Sequence, residues 1–181
     1  MSAILRNWPK FLIGWFLCFG IRLLPFRPPN VEPILITTMP FANRFGVFGG
    51  AIFAAFSIIL FDLFTSGIGV WTWVSAVAYA VVAIGAAWFF KNRRGSPFNY
   101  LLYAFIGTLF YDASTGLTIG PLVYGQPFME ALTGQIPFTL RHLLSNMVLA
   151  PIVSPLIDRW VVANGKLTWR LLWNTDGSIG E

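Results

Sequence analysis

Long apolar runs, separated by short clusters of charge, glycine and proline, set the pattern of this chain. Residues 8–24 are apolar apart from Lys10 and Arg22, and they end at Pro25 and the Pro28-Pro29 pair, which cannot continue a helix. A second run, 32–43, is short and contains Pro33 and Pro40. The third, 46–64, stops at Thr65-Ser66-Gly67, and the fourth, 70–90, stops at Lys91-Asn92-Arg93-Arg94-Gly95. A fifth begins after Pro97 and continues to about residue 115. A stretch rich in glycine and proline, 116–134, carries a short helix at 128–132, and a sixth run, 137–162, passes through Pro151 and Pro155. Such prolines are tolerated where neighbouring helices satisfy the freed carbonyls. A membrane crossing needs about 20 apolar residues at a rise of about 1.5 Å each. The pattern therefore predicts an all-α polytopic membrane protein: a domain of six transmembrane helices over residues 1–162 and a polar cytoplasmic tail over 163–181.

Composition narrows the class further. Hydrophobic residues make up 56% of the 181, charged residues only 10%, and the mean hydropathy is +0.70. A soluble domain cannot keep so much apolar surface in solution with so few charges, and disorder requires low hydrophobicity. Arg6 and Lys10 ahead of the apolar residues 11–20 give the look of a signal peptide, but no small-residue cleavage motif follows. The segment is expected to remain as the first membrane helix. The net charge of +5 would suggest nucleic acid in a soluble protein; here topology explains it. With six crossings and a cytoplasmic N-terminus, Arg6, Lys10, Arg44, Lys91, Arg93, Arg94, Arg159, Lys166 and Arg170 lie inside. Only Arg22, Arg27 and Arg141 lie outside. The positive-inside rule then places both termini in the cytoplasm of a multi-pass protein of the inner (plasma) membrane. A five-crossing arrangement, with 32–43 re-entrant, would put Lys91, Arg93 and Arg94 outside.

Ionisable groups inside spans are costly and usually face a bundle interior or a wet cavity. Arg22, Asp62, Asp112, Arg141 and His142 qualify, and all fall toward the outer ends of their expected helices. Asn30, Glu32, Trp71, Thr72, Tyr111, Gln126 and Asn146 surround them. Interfacial anchoring or structural ion pairing explains such residues singly, but anchoring does not require five segments to converge on one leaflet. A polar pocket with aromatic walls is what small-molecule capture requires. Small residues also form stripes: Gly46, Gly50 and Ala54 on the third expected helix, Ala76 and Ala80, then Ala83 and Ala87, on the fourth. These permit close helix packing, either within the bundle or against another membrane subunit. There is no phosphate-cradling glycine loop and no H-E-x-x-H pair, and one histidine with one cysteine makes a zinc site improbable. Cys18, in an apolar run, reads as a buried inert thiol. Ser145 follows His142 by one helical turn, but no G-x-S-x-G elbow accompanies them.

Several residues also carry a resemblance. Arg27-Pro-Pro-Asn30-Val-Glu-Pro33-Ile follows one short helix and precedes a glycine-rich third helix, and Asp62, the Gly69-x-Trp71-Thr72 entry to the fourth helix and Gly-Gln-Pro-Phe at 125–128 come next. With six helices in about 180 residues, residues 8–162 resemble the substrate-binding S component of an energy-coupling-factor transporter. That resemblance implies capture of a vitamin or similar micronutrient outside the membrane. It also implies work with a transmembrane coupling subunit and two cytoplasmic ATPases. The implied pocket lies near the outer surface, between the fourth to sixth helices and the loop joining the first two. The first helix here carries Gly14-x-x-x-Cys18 in place of the paired alanines often found in that family.

On this reading the chain performs no covalent chemistry and needs no cofactor. Trp71 and Tyr111 supply stacking surface; Asp112, Arg141, His142 and Asn146 supply polar recognition; Asn30 and Glu32 sit on a gating loop. Glu32, Asp62, Asp112 and Glu130 on the outer side point to a cationic or amine-bearing ligand, although Arg22 and Arg141 are placed to neutralise two of them. The expected partners are a small-molecule substrate, the coupling and ATPase subunits and membrane lipid, with no nucleic acid. The rival reading is a non-transporting scaffold or assembly protein that packs through the small-residue faces. A membrane-embedded enzyme is a distant third.

Overall fold

Proline and serine open the helices where the chain needs them. Pro33 and Pro97 each occupy the first helical position, where a missing N–H removes no hydrogen bond, and the Ser96 side chain accepts from the Asn99 amide. The structure, a computed structural model, describes residues 3–26 and 31–168. Every regular element among them is helical: α1 (Ala3–Arg6), α2 (Trp8–Arg22), α3 (Pro33–Phe64), α4 (Val70–Phe90), α5 (Pro97–Thr118) and α6 (Phe128–Ile157). Single π-helical turns, Ile119–Val123 and Asp158–Val162, extend the last two. Three helical stretches are long and apolar enough to cross a membrane: Pro33–Phe64, Val70–Phe90 and Phe128–Val162.

The first of these is not a straight rod. Gly46 has φ 70° and ψ −164°, in the left-handed region open to glycine. A Cβ added to Gly50 would stand only 2.8 Å from the Ala42 Cα. Residues eight apart in a straight helix are about 12 Å apart. Phe41 and Phe53 stack with centroids 4.0 Å apart. The helix therefore folds back at Gly46 into two arms, 33–45 and 47–64, about 20 and 27 Å long at about 1.5 Å per residue. These arms correspond to the second and third helices expected from the sequence.

The first arm is the centre of the bundle. Every residue from 33 to 42 is buried. Pro40 has no N–H to offer the Ile36 carbonyl one turn back, and Ser154 of α6 supplies the missing donor at 2.7 Å. Trp15 of α2 donates its indole N–H to the Phe53 carbonyl at 3.1 Å. Gly14 allows this approach, because a Cβ there would lie 2.7 Å from both the Phe41 and Phe53 rings. Gly50, Ala54, Ala76 and Ala83 are buried as well, so these members of the small-residue stripes serve packing inside the chain, whereas Gly46, Ala80 and Ala87 are half-buried.

Two boundaries differ from the expected ones. The sixth helix begins at Phe128 rather than 137 and absorbs the short 128–132 helix, running straight through Pro137. The apolar periodicity continues across that proline, and a bundle tolerates the freed carbonyl. The expected loop 116–134 shrinks accordingly, because α5 and its π turn reach Val123. Gly125, at φ 64°, turns the chain back while the Gln126 amide bonds the Gly120 carbonyl at 3.0 Å.

The outside is apolar: Phe16, Phe48, Val77, Trp88, Leu144 and Ile152 are all exposed. Charge collects at the two ends of the bundle. One end joins the start of α2 and the reversal of α3 to residues 163–168, with Arg6, Lys10 and Arg44 together. The loop after α4 packs there too, Gly95 lying against Asn43, Tyr100 and Asp158. The opposite end holds Arg22 paired with Glu32, and Asp62 bound to Thr72.

Candidate functional site

On α5, Thr108 and Asp112 stand four residues apart, and on α6, His142 and Asn146 do the same; each pair therefore shares one helix face. The helices run antiparallel, so the faces meet as two rungs. Asp112 Oδ1 and His142 Nδ1 are 2.8 Å apart, and Asn146 Nδ2 donates to Thr108 Oγ1 at 2.8 Å. Asp112 is 0% exposed and His142 2%.

Aromatic rings enclose the upper rung. Tyr111 stacks on Tyr79 of α4 with centroids 4.0 Å apart and presents its edge to His142 at 6.1 Å. Phe138 approaches the imidazole at 5.9 Å. Beside them the Arg22 guanidinium lies 3.7 Å from the Phe61 ring centroid and 3.3 Å from Glu32. The charges of Arg22, Glu32 and Asp112 reach both tyrosine hydroxyls. Residues of α2, α3, α4, α5 and α6 thus converge on one polar centre.

Several polar atoms in this centre are buried without a hydrogen-bond partner among the described residues: Asp112 Oδ2, His142 Nε2, Asn146 Oδ1 and the Tyr79 hydroxyl. Native interiors leave few such groups. With a neutral ring, Nδ1–H donates to the Asp112 carboxylate, a tautomer assigned from this contact, and Nε2 is left as an acceptor. Nε2, Oδ2 and Oδ1 are then three acceptors, while Arg22 Nη1 and the Tyr79 hydroxyl are unpartnered groups able to donate, so the centre offers both kinds of hydrogen-bonding group. Ser145 Oγ is also buried without a partner, so it is not joined to His142 as a hydrolase pair would be. No group of three or more His, Cys, Asp or Glu residues able to hold a metal gathers among the described residues.

The structure brings Glu32, Tyr111, Asp112, His142 and Asn146 together and leaves other expected site residues apart. Asn30 lies outside the described residues. Trp71 is 37% exposed and its ring covers Gly69, in the turn before α4. Thr72 is buried at the start of α4, where its hydroxyl accepts from the Gly69 amide at 3.1 Å and donates to Asp62 Oδ2 at 2.6 Å. Its work there is to tie the α3–α4 turn. Arg141 is exposed, on a different face of α6 from its neighbour His142. Sequence reasoning missed Thr108 and Tyr79. The spacing of four from Asp112 could have found Thr108; nothing in the sequence marks Tyr79.

Surface hollows lie away from this centre. Grooves of about 470 and 570 Å³ run along the outer faces of α4 and α5, lined chiefly by apolar residues such as Trp73, Val77, Trp88 and Phe110. Their chemistry suits lipid chains rather than a polar ligand.

No family model matches the chain, and no curated protein or solved structure proves similar to it. Fold and exterior together define a class: an all-helical membrane protein with a buried polar centre that five helices share.

Proposed function

We propose that the chain is the substrate-capture subunit, the S component, of an energy-coupling-factor importer for a vitamin or similar micronutrient in the plasma membrane. The observation that carries this reading is the buried polar centre with its unpartnered acceptors on α5 and α6. In this reading a donor-rich, amine-bearing ligand completes the hydrogen bonds of His142, Asp112 and Asn146, and Tyr111 forms part of the aromatic wall. Glu32, held by Arg22, anchors the entry to the site. The energy for release comes from the ATPase and coupling subunits, since this chain carries no nucleotide-binding loop.

The scaffold reading draws on small-residue faces of which Gly50, Ala54, Ala76 and Ala83 are buried within this chain, while Gly46, Ala80 and Ala87 stay half-buried. Mass spectrometry of small molecules that co-purify with the detergent-solubilised protein tests capture directly. One ligand at one-to-one stoichiometry is expected. At a concentration of about 100 times Kd it should stabilise the fold by about 2.7 kcal/mol. A protein that purifies folded and empty, and whose melting no amine-bearing micronutrient raises, would count against the proposal.

The same reading makes six crossings from α2, the two arms of α3, α4, α5 and α6, with both termini cytoplasmic. The distribution of bases supports it: Arg6, Lys10 and Arg44 share one end with the loop that carries Arg93 and Arg94. In a Cys18→Ala background, Tyr124→Cys should react with an impermeant thiol reagent from outside the cell and Arg93→Cys only after the membrane is opened. The reverse pattern would invert the topology.

A further inference from the structure

At the end of the bundle remote from the Asp112–His142 pair lies a cavity of about 430 Å³, lined by Arg6, Asn7, Lys10, Arg44, Gly165 and Thr168 among others. Three of these are bases near enough to interact, the charges of Arg6 and Arg44 both reaching Lys10. Lys10 is buried and fixed, its Nζ donating to the Val162 carbonyl at 2.7 Å. That contact places a cation at the closing turn of the α6 helix, where the helix dipole favours one. Arg6 and Arg44 are exposed, and neither makes an ion pair among the described residues. Asp158, whose charge reaches Arg44, is not among the cavity's lining residues, and its carboxylate sits by the Gly95 loop. Among the described residues the cavity wall thus carries three cations and no carboxylate. Like charges crowded on a cavity wall favour an anion that several of them share. Two guanidinium forks match the oxygens of a phosphate group in geometry as well as charge. Leu5 and Trp8, the sequence neighbours of Arg6 and Asn7, are exposed apolar residues.

We propose that this cavity is a phosphate-binding site, in which Arg6 and Arg44 grip the anion and Lys10 forms the fixed positive wall behind it. The phosphate belongs either to the headgroup of an anionic phospholipid or to a soluble anion, and one set of titrations separates the two. The full chain in a neutral detergent is titrated with phosphatidylglycerol and with phosphatidylcholine under native mass spectrometry, and with inorganic phosphate by calorimetry. One phosphatidylglycerol per chain, with phosphatidylcholine not retained, assigns a headgroup site. Inorganic phosphate bound one to one, with no preference for the lipid, assigns a soluble-anion site. Either result upholds the proposal only if Arg6→Gln/Arg44→Gln weakens that binding at least tenfold with helical content unchanged. Arg6→Gln alone, at an exposed position, gives the same test with a smaller loss should the double variant prove unstable. Lys166→Gln, which removes a base outside the cavity, should leave affinity within twofold. Absence of one-to-one binding, or equal losses in Lys166→Gln and the double variant, would overturn the site in favour of diffuse surface charge.

Discussion

Asp112→Ala is expected to lower the unfolding midpoint and to weaken ligand binding together. Asp112 is wholly buried, and its Oδ1 holds His142 Nδ1 at 2.8 Å, so truncation leaves a buried imidazole without its partner. An orphaned neutral group costs about 1–3 kcal/mol, and a buried charge deprived of its counter-ion about 3–5. For a chain of this size each kcal/mol corresponds to a shift of about 2–4 °C. His142→Ala should cost a similar amount. The double variant should lose less than the two added together, because the second change removes the group that the first has stranded. A coupling of about 0.5–3 kcal/mol in that cycle would establish the pair as one unit. Binding is the separate readout. If Oδ2 receives a donor from the ligand, Asp112→Asn, which keeps the shape, should weaken binding about 5- to 150-fold, the equivalent of about 1–3 kcal/mol. Unaltered affinity beside a lowered midpoint would make the rung purely structural.

Gly50→Leu should abolish the folded protein rather than a contact with a partner. The Cβ of any side chain there would meet the Cα of Ala42 at 2.8 Å and its Cβ at 2.7 Å. Backbone cannot swing aside as a flexible side chain does, so the two arms of α3 must separate. Overpacking a core typically costs about 1–3 kcal/mol, and forcing apart a buried hairpin belongs to the rarer class of about 4 kcal/mol or more. The monodisperse fraction after size-exclusion chromatography is the measurement, with Gly20→Leu as the control, since a Cβ at Gly20 meets nothing within 4 Å. A Gly50→Leu protein that folds and binds but fails only to assemble would show that this face looks outward.

Helix content and the placing of charge were legible in the sequence because each follows from a local rule. Apolar runs long enough for hydrocarbon must be helical, and bases gather at chain ends and connecting loops. Pro137 misled because a proline ends helices in water but can be carried through one in a bundle. The candidate site was legible at Asp112, His142 and Asn146, where polar groups in apolar runs stand out by contrast. It was not legible at Trp71, Thr72 and Arg141, whose neighbours in sequence point to other faces. Which residue of a polar pair looks inward depends on helix rotation. That is set by packing partners such as Tyr79 and Phe138, distant in the chain. Thr72 shows the same limit, since its attachment to Asp62 depends on the geometry of the turn between α3 and α4.

Residues 33–42 are synthesised early and cannot settle when they are made. Their arm is about 20 Å long, too short to bridge about 30 Å of hydrocarbon unaided. The donor for its Ile36 carbonyl lies 118 residues further on. At about 5–20 residues per second the ribosome delivers Ser154 roughly 6–24 s later. Lys10 waits longer still for the Val162 carbonyl, 152 residues away. The middle of the bundle is therefore closed by α6, the last of the described long helices, and until it arrives the growing chain carries an unfinished interior that lipid, the insertion machinery or water must occupy.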